Sequence, residues 1–246
     1  MCLIVLAWQM VPCAPLLAAA NRDEFYERPA AAADWWQDAP HVLAGRDLQA
    51  GGTWLGVSSS GPQGQRFAAI TAVRDGRRTK NSDAPTRGAL VADFLRDASV
   101  RPQDYLPHVV ATAERYEGFN LLLADREQLI WYSNRSDDER NGQPLPAGIY
   151  GLSNASLDTG WPKVVKTKAQ LCSLICQRAP ADAYFEMLAD TTQAPDVRLP
   201  DTGVPLDWER LLSSVCVESA SYGTRVSSVA RLNRDHDPSL QERLIR

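Results

Sequence analysis

Cys2-Leu3-Ile4-Val5-Leu6-Ala7-Trp8, then Val11-Pro12-Cys13-Ala14-Pro15, then Leu16-Leu17-Ala18-Ala19-Ala20 and Asn21-Arg22-Asp23-Glu24: this opening stretch decides the fold. Residues 3–8 are a near-continuous apolar run, the pattern of a strand buried on both faces. The proline-bearing link reads as a turn and residues 16–20 as a second buried strand, so the chain opens with a β-hairpin. Such a hairpin returns the end of its second strand to the start of its first. The polar quartet 21–24 therefore comes back beside Cys2. With period-two alternation, Asn21 and Asp23 share one face and are expected to meet Cys2 there, while Arg22 points to the other.

Residues 29–40, with Trp35 and Trp36, read as irregular. Gly45-Arg46-Asp47-Leu48 and Gly51-Gly52-Thr53-Trp54-Leu55-Gly56-Val57 lead into two more strands, the second over 67–73, joined by a turn over 58–65. A helix is expected after a cap at Ser82 or Asp83, with Pro85 in its first turn and Leu90, Val91, Phe94 and Leu95 on one stripe. A second helix covers about 103–116. A hairpin over 119–124 and 128–132 follows, then a polar loop, 134–146, and a short strand, 149–152. An amphipathic helix over 161–178 turns Val164, Val165, Leu171, Cys172 and Ile175 inward. Another helix after Pro180, a loop near 195–205 and a last strand over 222–232 complete the chain. Blocks of strands separated by blocks of helices predict an α+β fold with mainly antiparallel sheets and helices on their outer faces. No linker or repeat interrupts it, so one domain over 1–246 is expected.

The 246 residues are 44% hydrophobic and 23% charged, ordinary for a globular chain. A net charge of −4 offers no basic face for nucleic acid, and no apolar run approaches the roughly 20 residues of a membrane span. The run 2–20 resembles a signal peptide, but no Lys or Arg precedes Arg22 and Gln9, Pro12 and Pro15 break it. Five cysteines without C-x-x-C spacing predict a reducing compartment, with Cys172 and Cys176 as core thiols, and the missing signal makes a cytoplasmic location the expectation. Only three histidines are present, in unrelated segments, so neither a metal site nor a cofactor is expected.

Cys2 follows the initiator Met. Removal of Met1 exposes an α-amine beside the thiol, and that amine titrates near pH 8, where it can take the thiol proton. Nucleophile and base then share one residue. A buried thiol opening an apolar strand explains the same position without chemistry.

The segments ANRDEFYERP, AGRDLQAGGTWLGV, PTRGALV, GFNLLLAD, YGLSNASLDTGWPKV and YGTRVSSV weigh against that plainer account. In this order they resemble the serial motifs of the NRDE family, also called the transport-and-Golgi-organisation family, across almost the whole chain. More distantly, the chain is similar to the N-terminal-nucleophile hydrolases of the choloylglycine hydrolase and penicillin V acylase group. The resemblance implies a four-layer αββα sandwich with a reactive amino-terminal Cys. It implies Cys2 as nucleophile, Asp23 as anchor of the amine, the Asn154 amide as an oxyanion donor and Arg225 as the cation favouring thiolate. Asn21, Arg46, Trp54 and Ala72 become substrate-side positions.

Two departures accompany the match. The acylases carry Arg directly before the Asn of Asn-x-Asp, where this chain has Ala20; Arg46 is the candidate to replace that charge. The NRDE family usually has Asn where Ala72 stands, and losing an oxyanion donor costs about 10²–10³ in rate. The implied activity is hydrolysis of an amide or thioester of a small acyl substrate. The alternative is a non-catalytic carrier of haem or lipid on the same scaffold, because some family members are linked to haem movement and lipid homeostasis.

Overall fold

The computed structural model describes residues 2–59, 64–79 and 81–246. Met1 and the tip of the expected 58–65 turn lie outside the described residues. Strands β1 (Cys2–Val11) and β2 (Ala14–Phe25) form the predicted hairpin, buried along most of its length. Strands β3 (Ala30–Trp36), β4 (Ala39–Asp47), β5 (Leu55–Ser58) and β6 (Arg66–Ala72) follow. After helices α1 (Gly88–Arg96) and α2 (Pro102–Thr112), strands β7 (Phe119–Ala124) and β8 (Leu129–Ser133) complete a six-stranded antiparallel meander, β3 to β8 in sequence order. Strand β9 (Gly148–Leu152) leads into helices α3 (Pro162–Cys176), α4 (Ala181–Leu188) and α5 (Leu206–Leu211), then strands β10 (Tyr222–Leu232) and β11 (Ser239–Leu244). These late strands flank the first hairpin in an antiparallel sheet ordered β11-β10-β2-β1-β9.

Three cores stack these sheets into four layers. Between the sheets, Ile4, Leu6, Trp8, Leu16 and Ala18 meet Leu55, Val57, Phe67, Leu122 and Trp131. On the far side of the six-stranded sheet, Ile70, Leu121 and Leu123 pack on Leu90, Val91, Phe94 and Leu95 of α1. On the far side of the five-stranded sheet, Leu3, Val5, Leu17 and Ala19 pack on Val164, Leu171, Phe185 and Leu188 of α3 and α4. Helix, sheet, sheet, helix is the order the resemblance implied. Alternate residues of β1 and β2 feed different cores, which is why both strands read as continuous apolar runs.

Several local expectations change. Residues 30–36 form a strand; β3 is an edge whose alanines are exposed or half-buried and whose pairing with β4 is bulged, so no apolar pattern marks it. Helix α1 starts at Gly88 and not near Ser82. The polar residues before it form a turn in which Asn81 Oδ1 accepts the Asp83 amide at 3.0 Å. In α3 the buried stripe is Lys163, Val164, Thr167 and Leu171. Val165 and Cys172 face out, and Cys172 and Cys176 are exposed free thiols, not core residues. Helix α5 and strand β11, short and rich in charge, carry no periodic signal in the sequence. Among the described residues, no helix is long and apolar enough to cross a membrane.

Candidate active site

Cys2 begins β1 and pairs directly with Arg22, while Leu3 pairs with Asn21. Paired residues in an antiparallel ladder share a face. Cys2 and Arg22 therefore continue the inter-sheet face of Ile4 and Ala20, and Asn21 and Asp23 continue the helix-side face of Leu3 and Ala19. This reverses the expectation that Asn21 and Asp23 share the thiol's face and Arg22 avoids it. The hairpin forms as expected, with its register one residue away.

Cys2 and Arg22 open onto a cavity of about 380 Å³ between the sheet ends. Thr53, Trp54, Thr71, Ala72 and Arg87 line it, together with Arg28, Arg46, Asp47 and Glu242. Burial pushes the Cys2 thiol above its ordinary value, opposed by nearby positive charge that includes Arg22 and by a hydrogen bond from the Asp23 backbone. At neutral pH the thiol keeps its proton, so attack requires a base.

Asp23 also borders the cavity, almost fully buried, and its Oδ1 accepts the Thr224 hydroxyl at 2.7 Å. Burial pushes its carboxyl up, against positive charge that includes Lys163. Asn21 serves the structure. Its amide donates to the carbonyls of Leu188 (2.8 Å) and Val215 (2.9 Å), and its Oδ1 accepts the Ser227 hydroxyl at 2.7 Å. This places Asn21 as a tie between sheet and helices, outside the cavity lining.

Asn154 is buried beside β6, and its Nδ2 donates to the Ala72 carbonyl at 2.8 Å. Its neighbour Ser153 donates to the Cys2 carbonyl at 2.9 Å, so the Ser153-Asn154 turn is tied to both the nucleophile strand and the Ala72 wall. A primary amide has two N–H donors, and one remains beyond the Ala72 bond.

Arg225 does not line the cavity. It sits where β10 bulges between Thr224 and Val226, and its guanidinium donates to the Arg28 carbonyl. Arg46 is at the wall but committed, forming a two-point pair with Asp38 at 2.8 Å and lying 4.4 Å over the Trp36 ring. The cation that sequence reasoning missed is Arg87. It precedes α1, donates to the Gly118 carbonyl at 3.0 Å and sits within electrostatic reach of Cys2. Burial lowers its guanidinium, with Cys2 and Glu117 opposing. The motif around it, PTRGAL, is legible in the sequence, but its destination is not.

Gly52 and Gly88 let this corner close. A Cβ on Gly52 would stand 2.5 Å from the Gly88 carbonyl carbon, and Thr53 N–H donates to the Gly88 carbonyl. Gly51, at φ 77°, makes the preceding turn, whose amides at Gln49 and Ala50 donate to Asp47 Oδ1. The other oxygen of Asp47 accepts two bonds from Arg28, which joins the NRDE-like segment to the Gly-Arg-Asp segment.

Four of the six motifs thus contribute residues to one cavity, and comparison with known proteins identifies the set they belong to. The family model for transport and Golgi organisation 2 matches residues 1–246. The chain belongs to that family. Its relatives include the transport and Golgi organization protein 2 homologs of Bos taurus, 36% identical over 93% of this chain and 86% of that protein, and of Homo sapiens, 34% identical with the same coverage. Among solved structures it is similar to the Caenorhabditis elegans N-acylethanolamine-hydrolyzing acid amidase (NAAA) ortholog. That likeness has a TM-score of 0.48 and 11% identity, and it covers 92% of this chain and 91% of that one. Among the described residues of this transport and Golgi organisation 2 family member, no three His, Cys, Asp or Glu side chains are placed to hold a metal.

Proposed function

We propose that this chain is a cysteine amidohydrolase or thioesterase of the N-terminal-nucleophile kind. The observation that carries the reading is the position of Cys2: first residue of a buried strand, thiol face on the cavity, with Arg22, Asp23 and Arg87 at the same cavity. With Met1 removed, the α-amine of Cys2 takes the thiol proton, and Sγ attacks the carbonyl carbon of the substrate. The resemblance assigns the developing oxyanion to the amide of Asn154, which is not itself among the lining residues but whose Nδ2 is held on the carbonyl of the lining residue Ala72. Collapse breaks the C–N or C–S bond, and the ammonium returns its proton to the leaving group. Water then cleaves the acyl-thioester with the same amine as base. Asp23 holds the amine, and Arg22 and Arg87 favour negative charge at Sγ, the part that the resemblance assigns to Arg225.

The test is the mass of the N-terminal peptide, followed by assay of small acyl amides and thioesters with Cys2→Ala as control. A peptide starting at Cys2, turnover, and loss of turnover in the variant support the reading. A peptide still starting at Met1, or turnover retained by Cys2→Ala, overturns it and leaves the cavity to a carrier of haem or lipid.

A further inference from the structure

Lys163 occupies the first turn of α3, on the helix side of the five-stranded sheet, where Asp23 also lies. It is 3% exposed, and among the described residues its Nζ has no hydrogen-bond partner. A buried ammonium without a hydrogen bond is costly, and the helix that carries this one packs on the nucleophile strand β1. The charges that bear on it are Asp23 of β2, Arg74 just beyond β6 and Cys2 of β1.

Among the described residues, the other acids of the surrounding elements are engaged elsewhere or turned to solvent. Arg74 is itself buried, 3.3 Å from Glu209 of α5 and 4.3 Å over the Trp161 ring, so the Glu209 charge is taken. The acids of α4 turn away, Asp182 onto Arg243 and Glu186 to solvent, and Asp190 beyond it holds Lys166. Strand β9 carries no charged residue. From β10, Thr224 donates to Asp23 and the Tyr222 phenol, raised by burial, stays neutral. Among the described residues, Asp23 is the carboxylate whose charge bears on Lys163.

We propose that Lys163 is a positioning residue for the nucleophile: it shares Asp23 with the α-amine of Cys2, so that one carboxylate faces two nitrogens and the amine is held neutral. This deepens, and rests on, the proposed use of Cys2. Two ammonium groups sharing one buried carboxylate repel, and the pair carries fewer protons than two isolated amines. Burial lowers Lys163 to about 8, so near pH 7 it still carries its charge and weighs against a second proton on the α-amine, whose ordinary range is about 7.7–8.0. A neutral amine is the form that can accept the thiol proton. Lys163 then needs no contact with substrate, in keeping with its place behind the sheet.

The test is the pH profile of iodoacetamide alkylation at Cys2, read on the N-terminal peptide of Met1-free protein so that exposed Cys13, Cys172 and Cys176 do not contribute. Lys163→Met should move the midpoint up by about one pH unit, slowing alkylation roughly tenfold at pH 7, and Lys163→Arg should restore the parent profile. Thermal melts of both variants confirm folding. A Lys163→Met profile that coincides with the parent overturns the role of Lys163 alone. A parent profile with the midpoint of an ordinary thiol overturns the amine-base reading itself. If Lys163→Met does not fold, Lys163→Gln takes its place in the comparison.

Discussion

Cys2 stands directly opposite Arg22 in the β1–β2 ladder, so both side chains leave the sheet on the side of the cavity. Arg225 is instead held at a bulge of β10 by the Arg28 carbonyl. A cation close to a thiol raises its thiolate fraction and its reactivity. Arg22→Leu is expected to slow alkylation of Cys2 at pH 7 by roughly threefold to tenfold, the equivalent of half to one pKa unit. Arg225→Leu should leave that rate unchanged. Peptide-resolved alkylation of the two variants checks this, and equal slowing in both would return the role to Arg225.

Gly52 meets Gly88 so closely that any Cβ collides with backbone, not with a side chain that can swing aside. Gly52→Ala must push the start of α1, and Arg87 with it, off the cavity wall. Overpacking of this kind costs about 1–3 kcal/mol. A lowered melting temperature together with slower Cys2 alkylation is expected; a variant that melts and reacts like the parent would show that the contact relaxes freely.

These residues also show what is legible in the sequence. The hairpin, the antiparallel sheets and the strand at 222–232 follow from apolar runs and turn residues, because burial on one or both faces leaves a periodic trace. The register does not. A one-residue slip in β2 exchanges Arg22 for Asn21 and Asp23, and hydrophobicity cannot fix it where Ala18, Ala19 and Ala20 suit either core. Lys163 and Arg87 are hidden for another reason. Each is a charged residue in a segment that reads as a helix start, and only packing against a distant strand or loop turns it toward Cys2. Strand β3 leaves no trace because its side chains bury little.

Arg66 lies wholly buried beneath the end of α1. Its guanidinium donates to the carbonyls of Phe94 (2.9 Å), Leu95 (2.8 Å) and Asp97, the groups a helix terminus leaves unpaired. Burial draws its pKa down to about 10, still well above neutrality, so the cation persists. Arg66→Leu removes the donors and strands those carbonyls in an apolar setting. A loss of about 2–4 kcal/mol is expected, charge-assisted hydrogen bonds being worth about 1.5–3 kcal/mol each before relaxation. Urea denaturation measures it, and a change under about 0.5 kcal/mol, the range of an ordinary surface substitution, would mean that water replaces the guanidinium.

Lys163 makes stability depend on alkaline pH in a direction opposite to that of a paired lysine. Burial lowers its pKa from the ordinary 10.5 to about 8, Arg74 pushing the same way and Asp23 opposing. Between those values the unfolded chain binds a proton that the folded chain does not, so stability rises as pH rises through the window. Below about 8 the folded state carries the full cost of the buried ammonium, and above about 10.5 that cost is gone. From about pH 7.5 to about pH 10 the gain attributable to Lys163 is about 2 kcal/mol, because each pH unit crossed between the two pKa values contributes about 1.36 kcal/mol. Other lysines and tyrosines titrate in the same range, so the quantity to read is the difference between the parent and Lys163→Met in urea denaturation at the two pH values. The parent should gain on the variant as pH rises. Parallel pH dependences would mean that Lys163 keeps its proton to the ordinary lysine range, with a counter-charge strong enough to offset its burial.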